Sequence, residues 1–455
     1  MLMPGSRFRT RAFPLAVLFL AGLFSPLLGG CGGGGSNSSP AGPLVPPAPA
    51  KKGKYFTHVV ILIQENRTFD NLFATYPGAD GATRGKTHNG GSLPLRKADL
   101  ESPISPNNGY SFWKRDWNRG KMDGFDTVPI GKISGTYVYE YVDPAQIAPY
   151  WDLARRYVLS DHTFQTQGSG SFTAHQDLIR GGTELGGSRS LIDFPSAQPW
   201  GCDSPPGTAT SLVTASNQYM YHAGPYPCLS YATLRDLLDS AGVSWRYYTP
   251  TTGNFAGNLW NAFDAIAAVR HGAEWATNVV SPETDVFTDI NRNTLPAVAW
   301  VVPDYVNSDH PGDNSDTGPS WVAQVVNAIG ESSAWNTTAI IVLWDDWGGW
   351  YDHVAPPGPR RYGGLGFRIP LLAVSPYAKA DYISHQQYEL GSVVRFLEDN
   401  WSLGRLGTTD RSSADFTNDF FDFTQNPRQF APIKTEYSKS FFVHQRPSNK
   451  PVDNE

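Results

Sequence analysis

Cysteine, basic charge and long apolar runs are all scarce in this chain, and each shortage removes a class of protein. Three cysteines in 455 residues are too few for a disulfide-built scaffold, and none stands at the Cys/His spacing of a zinc ribbon or finger. Lys+Arg 36 against Asp+Glu 42 gives a formal net charge of -6. With no basic stripe, nucleic acid is not the expected partner. Beyond the N-terminus no stretch is long and apolar enough to span a bilayer. No internal repeat is found.

Aromatic residues are plentiful, at 13% with 14 Trp, more than a core usually needs. Some are expected to line a cleft or face a glycan or lipid. The N-terminus reads as a targeting segment over residues 1–31: Arg7, Arg9 and Arg11 precede an apolar run from Ala12 to Leu28. Leu28-Gly29-Gly30-Cys31 resembles the lipobox of bacterial lipoproteins, which implies export, lipidation of Cys31 and a membrane anchor at the periplasmic or cell-surface side; the alternative is an ordinary cleaved signal peptide with an incidental cysteine. Residues 32–53 are a Gly/Ser/Pro-rich tether with no capacity for a core. In an oxidising compartment Cys202 and Cys228 pair within a single domain over 54–455; the alternative is two free thiols. The irregular stretch near 188–228 reads as an insert of that domain.

From Tyr55 the chain alternates strand-like and helix-like segments, the pattern of an α/β/α sandwich with a mainly parallel central sheet. Two apolar runs stand out. Ala339 to Leu343 runs into Trp344, Asp345 and Asp346 and then Gly348-Gly349, while His58 to Ile63 delivers Gln64-Glu65-Asn66-Arg67. In open α/β sheets ligands bind beyond the carboxyl ends of strands. Two adjacent carboxylates repel, and a metal ion, a shared proton or solvent has to hold them. Glu65, Asn66, Asp345 and Asp346 together offer four hard-oxygen ligands for one divalent cation. A third run, Ala297 to Val302, leads into a loop with Asp304, Asp309 and His310.

Gly168-Ser169-Gly170-Ser171 opens a helix, and a Gly-rich helix start is an anion seat. The Ser171 hydroxyl there is either a nucleophile or an ordinary helix cap. His175, four residues on, either orients Ser171 or is a satisfied helix-face histidine. Arg67 either clamps phosphate or pairs with an acid. Asp352 and His353 read as braces of the turn after the acids. Residues 80–123 read as long loops over the sheet, Asn258–His271 as one helix, and the tail after residue 401 as a surface wrap.

In these motifs the sequence resembles the bacterial phosphoesterases that include acid phosphatases and phospholipases C, relatives of the alkaline phosphatase superfamily. The carriers are Gln-Glu-Asn-Arg-Thr-Phe-Asp-Asn at 64–71, Gly-Lys-Met-Asp-Gly-Phe at 120–125, Gly-Ser-Phe-Thr-Ala-His-Gln at 170–176, Trp-Asp-Asp-Trp-Gly-Gly-Trp-Tyr-Asp-His-Val at 344–354, and Gly-Phe-Arg-Ile-Pro at 366–370. The resemblance implies an alkaline-phosphatase-like fold. It implies a metal site at Glu65, Asn66, Asp345 and Asp346, Ser171 as nucleophile and His310 facing the substrate phosphate. Two departures stand beside it: Asn107, Asn108 and Tyr110 lie where many relatives carry a histidine, and Trp245, Tyr247 and Tyr248 where some acid phosphatases do. The expected activity is cleavage of a phosphomonoester or a phospholipid through a phosphoserine. A non-catalytic surface lipoprotein that binds a glycan or phosphorylated ligand is the alternative, and loss of one of the five site residues would mark it. All five are present.

Overall fold

The computed structural model describes residues 48–448 apart from 132, 313, 359 and 360; Cys31 and most of the tether lie outside the described residues. The domain is organised on an eight-stranded sheet. Its strands are β1 (His58–Gln64), β2 (Val158–Ser160), β3 (Trp245–Tyr248), β4 (Val279–Val280), β5 (Val298–Val301), β6 (Thr338–Trp344), β7 (Leu371–Val374) and β8 (Tyr382–Ser384). They lie in the order β4-β3-β5-β1-β6-β7-β2-β8. Only β7 runs against the rest, between β6 and β2.

Strands β1 and β6 are central because both faces of each are apolar. All seven residues of β6 and six of seven in β1 are buried, as strands covered on both sides by helices must be. They pair in parallel, with Gln64 opposite Trp344, so the acids that follow each strand emerge side by side. Five helices carry the argument: α1 (Phe69–Phe73), α2 (Ala148–Arg156), α3 (Ser171–Arg180), α4 (Gly318–Gly330) and α5 (Leu390–Trp401). Helix α4 packs with α2, and α5 with α3, as two separate layers. The mainly parallel α/β/α architecture is thus as the alternation of segments foretells.

Several local expectations are corrected. Residues 80–123 are not all loop: three short strands (Arg84–Lys86, Ser92–Pro94, Arg96–Ala98) and a helix, Tyr110–Trp117, lie within them. Tyr110, Trp113 and Trp117 fall three and four residues apart, and their rings stack along one side of that helix. The insert is not irregular throughout; Glu184–Gly186, Arg189–Ile192, Ser211–Thr214 and Tyr219–Met220 form a four-stranded sheet. The helix expected over Asn258–His271 is broken near Asn261, whose side chain accepts from the Phe263 N–H and starts a separate 3-10 turn. The C-terminal tail is more than a wrap, since Phe416, Phe420 and Phe421 are buried and pack around Phe396.

Cys202 and Cys228 form a disulfide, which closes a loop within the insert. The last residues of the expected tether are docked: the Trp401 Nε1–H donates to the Lys51 carbonyl at 2.8 Å, and the Lys54 N–H to the Asn400 carbonyl at 2.6 Å. Among the described residues no helix is long and apolar enough to cross a membrane.

Candidate active site

Strand β1 ends at Gln64, and the chain then bends sharply. Asn66 adopts a positive φ of 59°, a conformation asparagine tolerates better than most residues. The bend sets the Asn66 N–H on Asp345 Oδ1 at 3.0 Å, which ties the end of β1 to the end of β6. Beyond Asp346 the chain turns at Gly348 and Gly349, with φ of 60° and 76°. A Cβ on Gly348 would meet the Asn66 carbonyl oxygen at 2.1 Å. Only glycine lets the two strand ends approach so closely.

Helix α3 delivers the hydroxyl. Its N-cap is Gly170, with no side-chain cap, so Ser171 is the first helical residue and its hydroxyl is not the cap. Ser171 Oγ lies 3.1 Å from Asp346 Oδ2 and 3.3 Å from Asn66 Oδ1. One turn on, His175 Nε2 lies 2.8 Å from Glu65 Oε1 and 3.8 Å from Asp345 Oδ2. The histidine therefore faces the acids, and its place in the site is beside Glu65. Burial lowers its pKa to about 4, against the pull of Asp345, so the imidazole is neutral at ordinary pH. Its Nδ1 side lies 3.4 Å from the Tyr247 hydroxyl, which donates to the Trp260 carbonyl.

Glu65, Asn66, Asp345 and Asp346 are 0% exposed, and Ser171 and His175 1%. A solvated loop of acids is thereby excluded. The Glu65 and Asp345 carboxylates both face His175, and the Asp346 carboxylate faces Ser171. Asp345 Oδ2 has no hydrogen-bond partner, and Ser171 faces two acceptor oxygens with one proton to give. That is the charge imbalance a divalent cation corrects, and the oxygen-rich donor set suits a hard metal ion. Glu65, His175 and Asp345 also place ligand atoms within 4.8 Å of one another.

Asn108 is the residue that sequence reasoning missed. Noted in the sequence only as a departure, it has no role assigned there, and its Nδ2–H groups donate to both oxygens of Asp346, at 3.1 and 3.2 Å. The Gly348 N–H donates to Asp346 Oδ1 as well, at 2.7 Å.

Arg67 is buried with its guanidinium directed at protein groups, donating to the Asp309 and Leu100 carbonyls and to Asn71 Oδ1. Of the two expectations for Arg67 the geometry favours a structural one, with carbonyl and amide oxygens in place of an acid. The Asp309 carboxylate accepts from Tyr150 and Trp344, and burial raises its pKa to about 6 against the pull of Arg67. His310 next to it is buried between Trp260 and Tyr305. Its Nδ1 lies 2.6 Å from the Pro311 carbonyl, which can only accept, so Nδ1 carries a proton. Asp352 binds Arg368 and His353 binds Asp70, at 2.9 and 2.7 Å. Both brace the turn, as their sequence position implies.

A cleft of about 440 Å³ opens beside this centre, lined by Gly109, Asp193, Phe194, Trp200, Tyr219 and Tyr221 among others. It adjoins the nucleophile helix: the Asp193 N–H donates to Ser169 Oγ, and the Phe172 ring meets Trp200 edge-on at 5.8 Å.

The class that fold and site define is an α/β/α enzyme with a helix-start hydroxyl among buried acids at the carboxyl ends of a mainly parallel sheet. The chain belongs to the phosphoesterase family, whose model matches residues 56–404. It is 26% identical over 415 residues to the non-hemolytic phospholipase C of Pseudomonas aeruginosa, an alignment covering 79% of this chain and 56% of that protein. Phospholipase C B of Mycobacterium tuberculosis is 26% identical over 439 residues, covering 82% of this chain and 79% of that one. The chain thus spans just over half of the first relative and most of the second. Among solved structures it is similar to an alkaline phosphatase superfamily protein from Vibrio parahaemolyticus, at 13% identity and a TM-score of 0.38, over 81% of this chain and 72% of the other.

Proposed function

We propose that the chain hydrolyses phosphoric esters through Ser171. The observation that carries this reading is the Ser171 hydroxyl at the start of α3, 3.1 Å from Asp346 and surrounded by buried acids. Glu65, Asn66, Asp345 and Asp346 would hold one divalent cation, with His175 beside Glu65. When bound, such an ion neutralises phosphoryl charge and lowers the pKa of a nearby hydroxyl.

Around it the chain's own residues have distinct tasks. The N–H groups at the start of α3 point at the incoming phosphoryl oxygens. Asp346 Oδ2 is placed to accept the Ser171 proton as Oγ attacks phosphorus, leaving the alcohol and a phosphoserine. Asn108 and the Gly348 N–H hold Asp346 for that transfer. His310, through Nε2, is the proton donor for the leaving alcohol and then the acceptor for the hydrolytic water. The similarity to proteins named phospholipases C supports a phospholipid substrate, and the 440 Å³ cleft has room for the headgroup of one. Cys31 remains proposed as a lipidated anchor of an exported protein; mass spectrometry of the mature N-terminus tests it.

The deciding experiment is hydrolysis of p-nitrophenyl phosphate, p-nitrophenyl phosphorylcholine and a phospholipid by the purified chain, with and without chelator, beside Ser171→Ala. Activity that chelator and the substitution both remove supports the reading. Turnover that survives Ser171→Ala would sink it, and the preferred substrate sorts phosphatase from phospholipase C.

A further inference from the structure

The segment over the carboxyl ends of the sheet has a charge opposite to that of the whole molecule. Residues 84–133 hold nine Lys/Arg and five Asp/Glu, an excess of +4 in a chain whose net charge is -6. This cap lies against the active-site turn: Asn108 binds Asp346, and a Cβ on Gly349 would meet Pro106 at 2.5 Å. Two of the nine cations, Arg96 and Lys97, pair with Glu140 and Asp143 just outside this segment, and the cations without an acid are concentrated elsewhere in the cap. Lys114, Arg119 and Lys121 are exposed, and among the described residues none has an acidic partner. The nearby acids are occupied elsewhere: Asp116 is buried, Asp123 accepts from Asn118, and Asp126 accepts from His88.

The same stretch carries the aromatic ladder. Trp113 and Trp117 stack at 5.4 Å and 9°, with Tyr110 continuing the stack at 5.7 Å and 15°. These three rings with Lys114 and Arg119 line a groove of about 250 Å³. Trp117 is half-buried, and Tyr221, 68% exposed, belongs to the neighbouring cleft wall. Indole and phenol rings beside unpaired cations are the chemistry of a membrane interface: the rings settle at headgroup level and the cations meet lipid phosphates.

We propose that this face of the cap docks onto the surface of an anionic lipid bilayer, through Lys114, Arg119 and Lys121 with Trp117 as the ring that enters the headgroup layer. Charge complementarity selects the occupant. A neutral surface offers nothing to the three cations. The inference does not depend on the catalytic reading, because docking requires no turnover.

Flotation of the full chain, carrying Cys31→Ser so that no lipid anchor can form, with vesicles of phosphatidylcholine alone, or with three-tenths phosphatidylglycerol, tests it beside K114Q/R119Q/K121Q on the same background. All three positions are exposed, so the variant is expected to keep the wild-type melting temperature and the wild-type rate on a soluble ester. Each basic residue near such a surface is worth about five-fold in partitioning, so the variant should bind the anionic vesicles on the order of 100-fold less. Wild-type binding should also fall in 0.5 M salt, roughly a threefold change over physiological ionic strength. Equal binding to neutral and anionic vesicles would overturn the proposal, and so would anionic binding that the variant retains, since both proteins share the same N-terminus.

Discussion

At the scale of single residues the centre depends on a few contacts between parts of the chain far apart in sequence. Ser171→Ala should lower turnover by roughly 1,000-fold or more without changing the melting temperature, since it removes a nucleophile and little packing. Asn108→Ala is a finer probe. It strips two N–H donors from buried Asp346, and hydrogen bonds to a charged group are worth about 1.5–3 kcal/mol. A roughly 10- to 100-fold loss of metal affinity or activity should follow, measured by titrating the apo-protein and by initial rates. A third residue reports on stability. Burial, with Asp304 nearby, raises the Glu283 pKa to about 8. Its folded-state pKa lies above the unfolded value, so the folded state binds the extra proton and stability falls as pH rises from about 4.5 to about 8. Glu283→Gln should therefore raise the melting temperature at pH 8 and change it little at pH 4.5, by calorimetry.

What the sequence made legible at this scale, and what it hid, follow from locality. Glu65, Asn66, Asp345 and Asp346 stand at the ends of apolar runs, so a linear reading finds them. Asn108 sits in a polar stretch, and nothing beside it in sequence shows that it faces an aspartate 238 positions away. His175 was visible as a residue and ambiguous as a partner, because one turn of helix permits several neighbours; Arg67 was ambiguous because the bend after β1, and not a period, sets where its side chain goes.

Among the elements, the strands with two apolar faces were legible and the short ones were not. Val279–Val280 and Tyr382–Ser384 are too brief to carry a period of their own; their neighbours in the sheet define them. The same holds for the small sheet of the insert, whose strands alternate with Gly, Pro and Ser. The turn at Gly348 is the element most sensitive to change. Gly348→Ala adds a Cβ 2.1 Å from the Asn66 carbonyl at a φ of 60°, which moves both strand ends. A stability loss of roughly 2–4 kcal/mol is expected, with activity falling further than stability; denaturant titration and initial rates separate the two. The disulfide offers a contrast. Its loop of 26 residues is worth roughly 3 kcal/mol on the chain-entropy model, and Cys202→Ser with Cys228→Ser should lower stability while leaving the Ser171 contacts in place.

For the molecule as a whole, the acids at the strand ends link ligand binding to folding. A cation bound only by the folded chain adds about 2.7 kcal/mol at 100 times its dissociation constant. Divalent ions should raise the melting temperature in a concentration-dependent way, and chelator should reverse it. Ser171→Ala should retain most of that response, because the carboxylates remain. No thermal response to any divalent ion would count against Glu65, Asn66, Asp345 and Asp346 as a metal site.

The position of β1 has a consequence for the order of events in the cell. Val59 pairs with Val298 on one side and Ala339 on the other, so the central strand is made early and both its partners late. Until residue 346 has been synthesised, Glu65 and Asn66 can meet His175 and Ser171 but not Asp345 or Asp346, and the apolar strand keeps an open edge even after β5 has joined it. Activity is then a property of a chain made at least through Asp346. A chain that stalls or is cut before its last strands has no partial function to offer, and β1 is the segment a chaperone has most reason to hold.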